Sequence, residues 1–367
     1  MKILILAQEY PSEGNIYRNH YIHTRLRTYL EKNIELVVLS FSAVSSYNYE
    51  KVNVISETDY YKNFNADNFD SVIVHAPNIR NHFRFLIKNR SFRKLLFVIH
   101  GHEVLFRSKY YPKPFKFKRW ILFPITNGFN NIYDLIKLAF LKKYFVKGLN
   151  KNNIYFIFVS EWMKKEFLKN VKLEQNLLNE NSEIIPNPIG ENFIYNSYNS
   201  SDKKIADFIT LRPIDRSKHS IDIVVKAAEQ NPNFSFHVYG EGDYFKHNLK
   251  PKNLKVFPKF ISHSELSELL NSYRAAIMPT RLDSQGVMMC EMAMYGIPVV
   301  TSNLPICNEM LEGFNNIFFI DNDDVKFNAE EFINSISIKK INKQKFLPEE
   351  TILKEIERTI SQAWKKC

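Results

Sequence analysis

The chain is 367 residues long, with 45% hydrophobic and 24% charged residues. That balance is globular and the length suits about two domains, which excludes a disordered chain and a single small binding module. The formal net charge is +11, from 50 Lys and Arg against 39 Asp and Glu, and asks for an anionic partner: nucleic acid, an acidic membrane surface or a phosphorylated substrate.

Two halves are expected, each opening on a strand and alternating strands with helices. The first begins with KILILA (Lys2 to Ala7), followed by a polar loop and a helical stretch, HYIHTRLRTYLEK. Apolar runs at Glu35 to Phe41, Ser71 to Ala76, Lys94 to His100 and Ile154 to Ser160 follow. Such runs, bounded by turns and separated by helical patterns, predict buried parallel strands of a doubly wound sheet. The second half restarts at Ala206 to Arg212 and continues through Phe234 to Gly240, Leu254 to Phe260, Ala275 to Thr280, Pro298 to Ser302 and Ile317 to Ile320. The polar stretch NSYNSSDKK, Asn196 to Lys204, is the expected linker. The predicted division is residues 1–195 as a first α/β domain, 205–347 as a second, and 348–367 as a closing amphipathic helix.

Glycine occurs only 10 times, where average usage is about 7%, so a glycine-rich dinucleotide fingerprint is not expected. Cys290, Cys307 and Cys367 form no CxxC pair, which points away from a disulfide framework or zinc site and fits a reducing compartment. The N-terminal apolar run is short for a signal peptide and no run of 18 apolar residues occurs. A cytoplasmic protein is expected, with any membrane contact peripheral.

The charge is localised. Arg80 to Lys147 holds 16 Lys and Arg against Glu103 and Asp134, a net +14 that leaves −3 for the rest of the chain. Within it, residues 106–147 interleave cations with Trp120, Phe123, Phe129, Tyr133 and Phe140. Rings at headgroup depth and cations on anionic lipid would make this a membrane-facing surface. A core helix flanked by solvated lysines is the plainer reading. Stacking on single-stranded nucleic acid has no accompanying nucleic-acid module, so no nucleic-acid partner is expected.

The most informative stretch is MPTRLDSQGVMMCEMAMYGIPVVTS, Met278 to Ser302. A strand ends, a loop carries Asp283, and a helix opens at Gly286, whose N–H groups and dipole suit a phosphate. Glu291 lies one to two turns in. Gly296 and Pro298 stand where a helix stop belongs.

This stretch resembles the retaining GT-B glycosyltransferases of family 4, whose motif holds two acidic residues with seven between; Asp283 stands where the family usually has Glu. The resemblance extends to FVIHGHE (Phe97 to Glu103), IIPNPIG (Ile184 to Gly190), FITLRPIDRSKHSID and VYGEG (Val238 to Gly242). It implies two Rossmann-like domains facing a cleft, with the last helix crossing back to the first. Glu291 would bind the nucleotide ribose and Asp283 the donor sugar. The backbone amides of Gly286, Val287 and Met288 would hold the diphosphate and sugar, with Ser284 and Gln285 beside them as further donor-binding residues. Arg212, with Lys218 or Arg216, would neutralise the diphosphate, and Gly240 would lie in the loop on the base side. His100 is the strand-end histidine expected near the reaction centre, while His23, His75, His82 and His102 are read as structural or acceptor-side. Gly14, Tyr17, Arg18, Asn19, His20 and Glu103 are the expected acceptor contacts.

The implied activity is sugar transfer from a nucleotide-diphosphate donor to a lipid-diphosphate-linked saccharide in bacterial capsule or O-antigen synthesis, at the inner face of the membrane. No cofactor is expected. No metal dyad stands out, since Asp321, Asp323 and Asp324 read as a solvated loop. The rival is a nucleotide-sugar-binding protein of the same fold without transferase activity.

Overall fold

The computed structural model describes residues 1–15, 19–118, 123–259, 261–336 and 343–360. The chain forms two compact units. The first comprises Met1–Arg107, Asn130–Pro188 and Pro348–Cys367, and the second Ser108–Phe129 and Ile189–Leu347.

The first unit contains β1 (Lys2–Ala7), β2 (Glu35–Ser40), β3 (Tyr47–Tyr49), β4 (Val52–Ile55), β5 (Ser71–His75), β6 (Leu95–Ile99), β7 (Ile154–Phe158) and β8 (Ser182–Ile184). They form one sheet in the order β3-β4-β2-β1-β5-β6-β7-β8. Every pairing is parallel except β3 with β4. The central strands are Val, Ile, Leu and Phe runs buried on both faces, as a parallel sheet covered by helices requires. The strand order reverses between β1 and β5, whose registers on Ile3 pair it with Leu36 on one side and Ser71 on the other.

The last helix, Ile352–Ile360, packs on this unit through buried polar contacts. Arg25 and Glu355, both 0% exposed, form an ion pair. The Arg25 guanidinium also donates to Asn187 Oδ1 at 2.9 Å, and Tyr29 donates its hydroxyl to Glu355 Oε1 at 3.1 Å.

The second unit contains β9 (Phe208–Leu211), β10 (Phe236–Tyr239), β11 (Leu254–Phe257), β12 (Ala275–Ile277), β13 (Val299–Ser302) and β14 (Ile317–Ile320). Their order is β11-β10-β9-β12-β13-β14, all parallel. This is the doubly wound arrangement with its order reversal between β9 and β12. Its core gathers Phe208, Val224, Phe236, Ile277 and Phe332.

Two boundaries differ from the sequence reading. The stretch Asn196 to Lys204 is not a loose linker. Tyr198 donates its N–H to Tyr295 O at 2.7 Å and its hydroxyl to Tyr273 O at 2.6 Å, and Lys204 Nζ donates to Asn271 O and Tyr273 O. Its polar residues bond to the second unit's backbone, and the change of unit falls at Pro188 instead. The basic segment, expected wholly in the first domain, is divided: Ser108–Phe129 group with the second unit. Phe115 and Phe117 pack against that unit's core, Phe115 edge-on to Tyr244 and Phe117 stacked on His247 at 4.5 Å.

Candidate active site

In a doubly wound sheet, ligands bind beyond the carboxyl ends of the strands where the order reverses. In the second unit those ends carry Arg212 after β9 and the Pro279–Gly286 loop after β12. Arg212 Nη1 donates to His219 O at 2.7 Å and to Pro279 O, tying the two loops together. Burial pulls its pKa down to about 10 while the Asp283 carboxylate opposes that shift. Lys218 is half-buried and lowered by burial, again against Asp283, whereas Arg216 is exposed. Of the two candidates for the second cation, Lys218 is thus the more buried, and it feels the Asp283 carboxylate.

Gly240 sets this loop's position. Its φ is +152°, and a Cβ there would come within 2.0 Å of Arg212 O. Only glycine lets β10 end so close to that carbonyl. Arg281, which the sequence did not single out, forks onto Asp222 at 2.7 and 2.6 Å and donates to Ser217 O at 3.2 Å. Asn322, from the run read as solvated, donates to Thr280 O at 2.9 Å and accepts from Ser302 at 2.6 Å. Lys118 pairs with Asp215, and Ser217 Oγ donates to Pro112 O at 3.5 Å. The loop carrying Lys218 is therefore strapped by residues more than 90 positions earlier.

Gly286 caps the helix Val287–Tyr295 in the left-handed region, at φ 72° and ψ 56°, with no side-chain cap. As the first two residues of the helix, Val287 and Met288 have no acceptor within it for their amides. The Gly286 amide is different. Asp283 Oδ1 accepts N–H bonds from Ser284 at 2.8 Å, Gln285 at 3.3 Å and Gly286 at 2.8 Å. The Gly286 amide, one of the three expected at the diphosphate, is thus engaged within its own loop, because a short Asp three residues before a helix start reaches back to it. Glu291 is 2% exposed, and its Oε1 accepts from Gly190 N–H at 3.4 Å. Gly296 closes the helix at φ 103°.

In the first unit the strand ends at the reversal carry histidines. His100 Nε2 lies 3.2 Å from His75 Nδ1, and Tyr21 packs on the His100 ring at 4.7 Å. Burial holds His75 and His100 well below the usual imidazole range, with the nearby Arg25 charge adding to it. His82, also buried, is pushed down to about 3. These imidazoles are neutral at pH 7 and can hydrogen-bond but not supply charge. Glu103 is 2% exposed and accepts N–H bonds from His100 and, at 2.9 Å, Gly101. Both oxygens hold the histidine loop through these amides, and His102 Nδ1 lies 3.4 Å from Oε2.

Asn19 caps the helix His20–Glu31 in the left-handed region and donates Nδ2 to Glu9 O at 3.1 Å. Gly14 sits in the open turn closed by Ser12 and Asn15, and His20 lies 5.7 Å from the His23 ring. Tyr17 and Arg18 lie outside the described residues. Among the described residues no group of three His, Cys, Asp or Glu is placed to hold a metal ion. No described helix is long and apolar enough to cross a membrane.

Residues 210–337 match the family model described as Glycosyl transferases group 1. No curated protein matches the chain. Among solved structures, TarM is 10% identical, with 100% of this chain and 99% of that chain covered at a TM-score of 0.65. HepE of Anabaena, in complex with UDP and glucose, is 14% identical over 98% and 99% at 0.63. WaaG, a glycosyltransferase involved in lipopolysaccharide biosynthesis, is 11% identical over 99% and 96% at 0.55. The chain has the two-domain, Rossmann-like GT-B fold, and its second unit carries a glycosyl transferases group 1 match over the loops just described, which together support a glycosyltransferase.

Proposed function

We propose that the protein is a retaining, family 4-type glycosyltransferase of class EC 2.4. It moves a hexosyl or deoxyhexosyl group from a nucleotide-diphosphate donor, without metal, to a lipid-diphosphate-linked saccharide of a bacterial surface polysaccharide such as capsule or O-antigen. The observation that carries the reading is the second unit's strand-end cluster. Arg212 and Lys218, the uncapped helix start at Gly286 and buried Glu291 come from separate loops around one sheet reversal.

Departure of a nucleoside diphosphate needs its developing charge met by preorganised donors. Arg212, Lys218 and the Val287 and Met288 amides are assigned that task, and Glu291 the ribose hydroxyls. Asp283 keeps Oδ2 for the donor sugar while Oδ1 holds its loop. His100 of the first unit is assigned to the sugar as a neutral hydrogen-bonding group. The acceptor is assigned to the first unit's loop at Gly14, Tyr17, Arg18, Asn19 and His20. The neighbour HepE is seen with UDP and glucose, which favours a uridine nucleotide. The commitment of Asp283 Oδ1 to its own loop favours the second reading, a nucleotide-sugar-binding protein without turnover. A thermal-shift screen of UDP-, GDP- and dTDP-sugars tests the donor half of the proposal: one nucleotide class should raise the melting temperature, and no response to any would refute it.

Peripheral attachment to the inner face of the cytoplasmic membrane belongs to the same proposal. It rests on the +14 carried by Arg80 to Lys147.

A further inference from the structure

The helix Phe123–Leu149 is apolar on both sides. At about 100° per residue, Leu138, Leu141, Phe145 and Leu149 share one face, and all four are buried. Ile125, Phe129, Ile132 and Ile136 share the opposite face, within about 60° of one another, and are 56% to 69% exposed. Tyr133 and Leu135 flank them and are also exposed. Leu138 and Leu141, being buried, add nothing to the outward apolar area. What remains is a stripe about 17 Å long of large apolar side chains facing solvent, beyond the scattered single residues of an ordinary surface.

The same stripe changes character along its length. Lys143 and Lys147 continue it on the same face, and both are exposed. Apolar residues followed by cations on one line suit a helix lying in a membrane interface, rings and branched chains among acyl groups and ammonium groups among phosphates. A second copy of the chain fits less well, since each copy brings net +14 in Arg80 to Lys147.

We infer that the Ile125–Ile136 face, with Lys143 and Lys147, is the element that docks the protein on an anionic lipid bilayer. This deepens the membrane part of the proposed function and rests on it; residues 119–122, which contain Trp120, have no part in it.

Flotation of the full chain with phosphatidylcholine vesicles, with and without added phosphatidylglycerol, tests this. The wild type should float with the anionic vesicles. Ile132→Ser with Ile136→Ser should lose most of that binding. Lys143→Ala with Lys147→Ala should weaken it by roughly 30-fold. Leu249→Ser, at an exposed leucine of the second unit, should leave it unchanged, and melting curves should show all variants folded. Equal flotation of wild type on both vesicle types, or wild-type flotation of the stripe variants, overturns the inference. A change in sedimentation without a change in flotation makes the face a contact between copies and also overturns it. Sugar transfer to a soluble acceptor is read in parallel. Lost flotation with intact transfer leaves the enzyme reading standing, and intact flotation without transfer leaves only the docking face.

Discussion

Replacing Glu355 by alanine should destabilise the first unit severely. Glu355 and Arg25 are both 0% exposed and ion-paired, and the only other partner described for the Arg25 guanidinium is Asn187 Oδ1 at 2.9 Å. Removing the carboxylate leaves a buried cation largely uncompensated, which costs about 3–5 kcal/mol. Tyr29 would lose its 3.1 Å acceptor but keep Thr359 at 3.2 Å, so it adds little. For a unit of this size each kcal/mol moves the melting temperature by about 2–4 °C, so the melting transition should fall by roughly 6–20 °C. Circular dichroism melts of wild type and Glu355→Ala read this directly, with exposed Glu349→Ala as the control. The double replacement Arg25→Met with Glu355→Leu should recover much of the loss, because an apolar pair of similar volume removes the stranded charge. A Glu355→Ala melt matching the control would refute the reasoning and, with it, the docking of the last helix on the first unit.

Gly240→Ala should lower both nucleotide affinity and stability, the latter by about 1–3 kcal/mol, because its Cβ would collide with Arg212 O; unchanged calorimetric binding and melting would contradict this. Lys118→Ala should raise the donor KM by up to about fivefold with kcat held, as a partly exposed pair is worth about 0.2–1 kcal/mol. Asp215→Ala and the double variant should do no more than Lys118→Ala does. Acidification should destabilise the first unit. His75 and His82 are buried with depressed pKa values, so the unfolded chain takes up their protons as pH falls through about 6.5 while the fold does not. Together they cost about 2 kcal/mol between pH 6.5 and 5.5; urea melts at the two pH values measure it, and a flat response would exclude neutral buried histidines.

The long strands were readable because both faces of a parallel sheet are buried, giving unbroken runs such as KILILA and LLFVI. β3, β4 and β8 were not, being three or four residues long and, in β3 and β8, only partly buried. The helix at Gly286 was readable from its glycine start and its Gly296 stop, both at positive φ. Other features lacked local signal. Arg25 and Glu355 are 330 positions apart, and the straps from Lys118 to Asp215 and from Arg281 to Asp222 join residues far apart in the chain. The backbone contacts of Asp283 and Glu103 were within reach, since an acid beside backbone amides at a turn or helix start bonds to those amides. The basic segment was misassigned because charge counting locates cations along the chain, not the unit on which Phe115 and Phe117 pack.

The central claim is that the loops around the β9–β12 reversal bind and activate a nucleotide sugar. Turnover of a panel of nucleotide sugars by wild type, Arg212→Ala and Glu291→Ala, read as nucleoside diphosphate released in the presence of a saccharide acceptor, tests it most directly. The account predicts turnover of one donor class by wild type. Glu291→Ala should lower kcat/KM by about 10- to 150-fold, the worth of a charged hydrogen bond, and Arg212→Ala by about 100-fold or more, the worth of a donor aimed at developing charge. Equal turnover by all three proteins, or binding by wild type with no turnover of any donor, would contradict it.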